Sequence, residues 1–222
     1  MPTLLISIIA AGALYFIEQN VGVSYIYKTI IKIVVFVVIP LLFIQYGKGT
    51  TKIHVLGTIK NLSIRNVAPG LIVGGVSFIA IIAAYFILGK FVDFNAISQE
   101  LTTKLAITPT NFIFVGLYIT IVNSFIEEFF FRGYVFLNLQ NKMRAWFAYV
   151  FSAALFSSYH MAIFQQWFNP VILALCLVVL FGIALVFTWI NKGAQTIINS
   201  WIAHMCANAA IILIGMRMFG IL

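Results

Sequence analysis

The sequence predicts an all-α, polytopic integral membrane protein: one transmembrane helix bundle over residues 1–222 with about seven spans, and room for an eighth in the connections. Three observations predict it. Hydrophobic residues make up 63% of the chain and charged residues 8%, with a mean hydropathy of +1.10, whereas soluble domains run near ~45–50% apolar and ~25% charged. The apolar residues fall in long runs, each approaching the ~20 needed to cross ~30 Å of hydrocarbon as a helix. The few polar residues cannot cover a water-soluble surface, so a soluble all-α protein is excluded.

In order, the first span runs from about Thr3 to Phe16 and ends at Glu18-Gln19-Asn20. Ala11-Gly12-Ala13 resembles a cleavage site, but no basic residue precedes the run, so it reads as a retained span rather than a signal peptide. The second span covers about Ile30 to Gln45, with Pro40 expected to kink it. The third covers Ala68 to Leu88, where Gly70, Gly74 and Gly75 offer close helix contacts. The fourth runs from Asn111 to Leu139, the fifth from Ala145 to Ile163, the sixth from Val171 to Ile190 and the seventh from Ala194 to Met216. Two connections are amphipathic, Lys52–Arg65 and Asp93–Ile107, and are expected to lie along the membrane interface. His54 in the first of them reads as an interfacial polar residue.

The net charge of +8 and pI near 9.6 come from Lys and Arg in short segments between apolar runs. They therefore read as topology signals and contacts with anionic lipid head groups, not as a nucleic-acid surface. One side receives Lys48, Lys52, Lys60, Arg65, Lys142, Arg144 and Lys192 and the other Lys28, Lys32, Lys90, Lys104 and Arg217, a distribution that favours an N-terminus inside. Cys176 and Cys206 both lie in apolar runs, with no CxxC pattern, so no disulfide framework is expected.

One stretch breaks the apolar pattern. Ile126-Glu127-Glu128-Phe129-Phe130-Phe131-Arg132 carries the only charges between Phe112 and Leu139. A charge at a helix centre costs roughly 2.5–3.5 kcal/mol on insertion scales, so these side chains must be paired or face a wet cavity. At about 100° per residue, Arg132 lies about 40° round the helix from Glu128 but roughly 140° from Glu127. The expected ion pair is Glu128 with Arg132, acid first, which leaves Glu127 for chemistry. Phe129, Phe130 and Phe131 read as lipid-facing or packing residues.

Further polar groups lie on the fifth span, Ser157 and His160, and on the seventh, where Ser200, His204 and Asn208 form an i, i+4 stripe. Measured at about 1.5 Å per residue from the span ends Leu139, Ala145 and Ala194, beside the Lys142/Arg144 and Lys192 boundaries, Glu127 lies roughly 18 Å deep, His204 about 15 Å, Asn208 about 21 Å and His160 about 22 Å. Four such groups from three spans at similar depth predict one shared site. Burial moves a carboxylate towards general-base duty, a histidine can share the water, and a second histidine with an asparagine can donate to an oxyanion. Glu127, His160 and His204 could equally hold Zn²⁺, so the site reads as either one divalent metal or none. No HExxH is present. A Ser-His-Asp scheme finds no Asp in any span and no nucleophile context for Ser157.

The order Glu127-Glu128-x-x-x-Arg132, Phe156-x-x-x-His160, His204-x-x-x-Asn208 resembles the CAAX protease and bacteriocin-processing (CPBP, or Abi) family, with all three motifs on membrane helices between about Ile121 and Ala209. The resemblance implies an intramembrane endopeptidase similar to the CAAX prenyl protease, in the cell membrane of a prokaryote. It further implies that Glu127 and His160 activate water, that His204 and Asn208 stabilise the oxyanion, and that Glu128 and Arg132 support them. Members are often labelled metalloproteases, although a metal-free glutamate mechanism is also proposed for them. The catalytic-motif core would be about 111–216, and the partner a membrane-associated or lipidated peptide or protein. Two rival classes remain. One is a non-catalytic membrane scaffold or bacteriocin self-immunity protein. The other is a proton-coupled transporter, which the absence of repeated halves disfavours.

Overall fold

The computed structural model describes residues 2–21, 25–46, 64–191 and 196–222. Helix is the only regular structure among the described residues. Among the described residues, seven helices are long and apolar enough to cross a membrane: α1 Pro2–Asn20, α2 Tyr25–Tyr46, α3 Ile64–Phe91, α5 Phe112–Gln140, α6 Ala145–Phe164, α7 Pro170–Asn191 and α8 Ile198–Met218. The protein is thus an all-α membrane bundle. The interfacial segment expected at Lys52–Arg65, His54 included, lies outside the described residues except for Ile64 and Arg65, which open α3. The other amphipathic connection forms helix α4, Phe94–Leu105.

Local chemistry sets several ends. Asp93 caps α4 by accepting from the Ala96 N–H at 2.9 Å, and the helix stops at Ala106, whose φ of 55° is left-handed. Asn169 accepts from the Val171 and Ile172 N–H groups at 3.1 Å each, ahead of Pro170 in the first turn of α7. In α2 the backbone widens into π-helical turns over Val34–Val38, immediately before Pro40. The proline ring and its missing N–H disturb the i→i−4 ladder at that place.

The chain divides into two compact units. The first comprises the described residues of Met1–Leu62 with those of Ile126–Ile197, so it holds α1, α2, the second half of α5, α6 and α7. Its centre is the π-helical stretch Phe129–Phe136, every residue of which is buried. The wide turns spread eight successive side chains round the helix, and α1, α2, α6 and α7 pack against them. Phe36 of α2 stacks on Phe130 with ring centres 3.9 Å apart, and Phe131 meets Phe156 edge-on at 5.2 Å. Phe129, Phe130 and Phe131 are therefore core residues and do not face lipid. Ser152 donates to Phe131 O at 2.8 Å, tying α6 to this stretch.

The second unit comprises the described residues of Ser63–Phe125 with Ile198–Leu222, that is α3, α4, the first half of α5 and α8. Here α3 and α8 run parallel in close contact. Gly70 N–H donates to Asn199 Oδ1 at 3.0 Å, and Asn199 Nδ2 donates to Asn66 O at 3.1 Å. A Cβ on Gly70 would stand 2.6 Å from Asn199 O, and one on Gly74 2.8 Å from Cys206 Sγ, whereas Gly75 has nothing within 4 Å. Gly70 and Gly74 thus make the close contact expected of small residues in membrane helices, and Gly75 does not.

Candidate active site

In the first unit, Glu127 and His160 come together. Glu127 lies on the last α-helical turn of α5 before the π-helical stretch. His160 lies one turn from the end of α6. Both are buried in an apolar surround. His160 Nδ1 lies 2.8 Å from Phe156 O, four residues earlier on the same helix. A carbonyl can only accept, so Nδ1 carries a proton, and in the neutral imidazole Nε2 presents its lone pair. That Nε2 stands 3.8 Å from Glu127 Oε2, beyond direct hydrogen-bond reach and at a separation that one bridging water spans. Phe156, Tyr159 and Phe164 pack round the imidazole with ring centres 4.4, 5.3 and 5.9 Å away.

Glu127 is not unclaimed, as the sequence had suggested. Lys32 Nζ lies 2.5 Å from Glu127 Oε1, a buried ion pair between α2 and α5. The ammonium also stands 5.1 Å from the centre of the Tyr159 ring and 5.9 Å from that of Phe36. Placing the second span at Ile30 put Lys32 at its edge, as one of the connection charges. The helix begins at Tyr25, which carries Lys32 about 10 Å inward at the α-helical rise. The sequence carried no clear signal of this, because the burial that marks the core side of α2 is visible only in the structure. Lys32 precedes the buried Phe36 by one turn, and a cation on the core side of a span needs a counter-charge.

One turn beyond Glu127, Arg132 Nη1 donates to Glu128 Oε1 at 3.0 Å, and both side chains are fully buried. The guanidinium lies 4.2 Å from the centre of the Phe156 ring and 5.5 Å from that of Phe187. Phe156 thus serves both groups: its ring covers Arg132 and its carbonyl orients His160. Ser157 donates to Leu177 O at 2.6 Å and links α6 to α7.

Above the pair, the ends of α1, α2 and α6 carry a polar collar. Lys28 bonds Glu18 at 2.8 Å, Gln19 Nε2 donates to Ala162 O at 2.5 Å, Gln166 Nε2 donates to Gln19 Oε1 at 3.0 Å, and Tyr15 donates to Gln165 at 3.2 Å.

His204 and Asn208 belong to the second unit, both buried on α8. Asn208 Nδ2 donates at 3.0 Å to Ile119 O, within the π-helical turns Tyr118–Asn123 of α5. On the same helix, Trp201 Nε1 donates to Ile121 O at 3.0 Å and to Ser124 Oγ at 3.1 Å. The wide turns of α5 therefore offer their carbonyls to side chains of α8.

Residues 109–210 match the family model for Type II CAAX prenyl endopeptidase Rce1-like proteins. The match is to the CAAX protease family and covers somewhat less than half of the chain. It contains Glu127, Glu128, Arg132, Phe156, His160, His204 and Asn208. No curated protein and no solved structure matches the chain. The matched segment begins just before α5, so Lys32 lies outside it.

A divalent cation was one reading of the CAAX protease motifs. Among the described residues no three or more of His, Cys, Asp and Glu gather as a metal site requires. In the first unit the donors converging on one place are Glu127 and His160, and the Lys32 ammonium already sits on Glu127 Oε1. A second cation at that carboxylate would meet a fixed positive charge at short range in a low-dielectric interior. The arrangement does not fit a metal there.

Proposed function

We propose that this protein is an intramembrane endopeptidase that hydrolyses a peptide bond of a membrane-associated peptide or protein, using water held between Glu127 and His160. The observation that carries the reading is the 3.8 Å separation between Glu127 Oε2 and His160 Nε2. With Nδ1 bonded to Phe156 O and the imidazole neutral, both facing atoms are acceptors, and a water satisfies both by donating its two O–H groups. Its lone pairs then point away from the pair, towards a carbonyl carbon. In the attack, Glu127 Oε2 takes the water proton as the C–O bond forms, and the same proton returns to the leaving amine as the C–N bond breaks. His160 holds the water's second hydrogen and aligns the oxygen.

The tetrahedral intermediate needs donors at its oxyanion. The family resemblance gives that part to His204 and Asn208, and both lie within the matched segment. Glu128 and Arg132 would keep the α5 backbone in register beneath Glu127. The family name points to a substrate ending in a prenylated cysteine followed by three residues. The hydrolysis proposed here requires only an extended peptide that can enter the membrane-buried site.

The test uses the full chain reconstituted in liposomes and a panel of dye-labelled peptides. The panel includes a farnesylated Cys-aliphatic-aliphatic-X peptide and its unprenylated counterpart. Comparative peptidomics of membranes carrying wild type or Glu127→Gln then identifies native products. Cleavage by the wild type that disappears in Glu127→Gln and in His160→Ala, with folded protein retained, is the expected result. Full cleavage by either variant would sink the mechanism.

A further inference from the structure

We infer that Lys32 is a positioning residue for the Glu127 carboxylate: its ammonium clamps Oε1 and so aims Oε2 at the His160 imidazole. The inference rests on reading Glu127 and His160 as the water-activating pair, and it brings in a residue from α2, outside the segment that matches the family.

The two carboxylate oxygens are chemically equivalent, and the terminal torsion of a glutamate is broad and roughly two-fold. Left to itself, such a group presents either oxygen, at a range of angles, to whatever faces it. Here one oxygen lies 2.5 Å from Lys32 Nζ and the other faces His160 Nε2 at 3.8 Å. A charge-assisted hydrogen bond is short and about twice as strong as a neutral one, so the ammonium breaks the equivalence.

The lysine is itself held. Its ammonium lies among buried aromatics, with Phe36 one turn on in α2 and Tyr159 one residue before His160. Phe36 stacks on Phe130 and packs against Tyr159. Residues of α2 and α6 that locate the ammonium therefore also locate the imidazole, and the clamp is registered to both halves of the water site. One turn earlier, Lys28 is engaged with Glu18, which gives the two lysines of α2 separate carboxylates.

The clamp is compatible with a hydrolytic cycle. When Oε2 accepts the water proton, Oε1 keeps its contact with Lys32. The acid is therefore held in place until it protonates the leaving nitrogen. The alternative role is a counter-charge that only lets Glu127 sit in the membrane. The two differ in what charge-conserving and charge-removing variants do.

The experiment uses the full chain in liposomes, with Lys32→Met, Lys32→Arg, Glu127→Gln and the double variant Lys32→Met/Glu127→Gln. Thermal unfolding identifies which of them fold. Isotope-edited infrared spectra, taken as the difference from Glu127→Gln, report the Glu127 carboxylate without any substrate. The clamp predicts a band displaced in Lys32→Met and returned towards wild type in Lys32→Arg. With a peptide that the wild type cleaves, kcat falls about tenfold or more in Lys32→Met with KM nearly unchanged, and Lys32→Arg recovers part of it. An unmoved carboxylate band in folded Lys32→Met overturns the clamp. Should Lys32→Met not fold, the double variant, which leaves no unpaired buried charge, is compared with Glu127→Gln. Equal melting of those two would overturn the pairing. A displaced band with wild-type kcat overturns the positioning role and leaves only a counter-charge. If the wild type cleaves no peptide at all, the hydrolase reading fails, and the infrared result alone decides the clamp.

Discussion

The Arg132 guanidinium lies 4.2 Å from the centre of the Phe156 ring while its Nη1 bonds Glu128 Oε1 at 3.0 Å. This joins two motifs that are separate in the sequence. The phenylalanine four before His160 covers the guanidinium that neutralises Glu128, and its carbonyl fixes the histidine ring. Removing one partner of a buried ion pair costs about 3–5 kcal/mol, because the other charge is left uncompensated. Arg132→Met and Glu128→Gln should each lower the unfolding free energy by about that much. The double variant should lose clearly less than the sum, as a double-mutant cycle on thermal or denaturant unfolding would read. Arg132→Lys should not restore stability, since a compact ammonium cannot both reach Glu128 and lie flat on Phe156.

The glycines of α3 give a prediction independent of any activity. A Cβ at Gly70 would meet the Asn199 backbone oxygen at 2.6 Å, and backbone cannot swing aside as a side chain can. Gly70→Ala should destabilise the protein by about 1–3 kcal/mol, the usual cost of overpacking. Gly75→Ala, with nothing within 4 Å, should be neutral or stabilising by up to about 1 kcal/mol through helix propensity. Equal melting temperatures for the two variants would contradict the parallel α3–α8 contact.

How much of this was legible in the sequence differs from residue to residue. The spans were readable because lipid demands long apolar helices, and the Glu127 cluster because charges at depth are costly. Lys32 was misread because a cation near the edge of an apolar run looks like a connection charge, and only the partner across the unit shows otherwise. Phe156 could be seen as a motif residue, but its role depends on Arg132, which lies on another helix. Regular 100° steps also gave no hint of the π-helical turns at Tyr118–Asn123 and Phe129–Phe136. These bring Ile119 O to Asn208 and bury eight successive residues. Gly70 and Gly75 looked alike until the facing helix distinguished them.

Ser157 tests the site's chemistry from the other direction. Its hydroxyl donates to Leu177 O at 2.6 Å, which ties α6 to α7, and it should not act as a nucleophile. Ser157→Ala should cost about 1 kcal/mol of stability, typical of an interhelical hydrogen bond in a membrane protein. Turnover should stay within about twofold. Labelling by a serine-reactive fluorophosphonate, lost in Ser157→Ala, would contradict this.

With the Lys32 ammonium on Glu127 Oε1, a chelator should leave turnover unchanged, because the carboxylate already has its cation. The measurement is peptide cleavage before and after dialysis against a chelator, with the zinc content of the purified protein determined in parallel. Activity that is lost on dialysis and returns on adding stoichiometric zinc would require Lys32 to leave the carboxylate in the active state.

Glu127 carries the largest predicted effect. Glu127→Gln keeps the shape and the side-chain oxygen but cannot take the water proton. A positioned general base is worth typically 10²–10⁴-fold, so kcat should fall by about that factor with KM nearly unchanged. Glu127→Asp retains the base but withdraws it by one methylene, about 1.5 Å along the backbone-to-carboxylate direction. That lengthens both the contact to Lys32, now 2.5 Å, and the gap to His160, now 3.8 Å. Loss of the near-attack geometry costs on the order of 10²-fold, so Glu127→Asp should be impaired despite its intact charge. Equal turnover for aspartate and glutamate would mean that the spacing between α2, α5 and α6 does not set the rate. The base would then act through a water free to adjust its position.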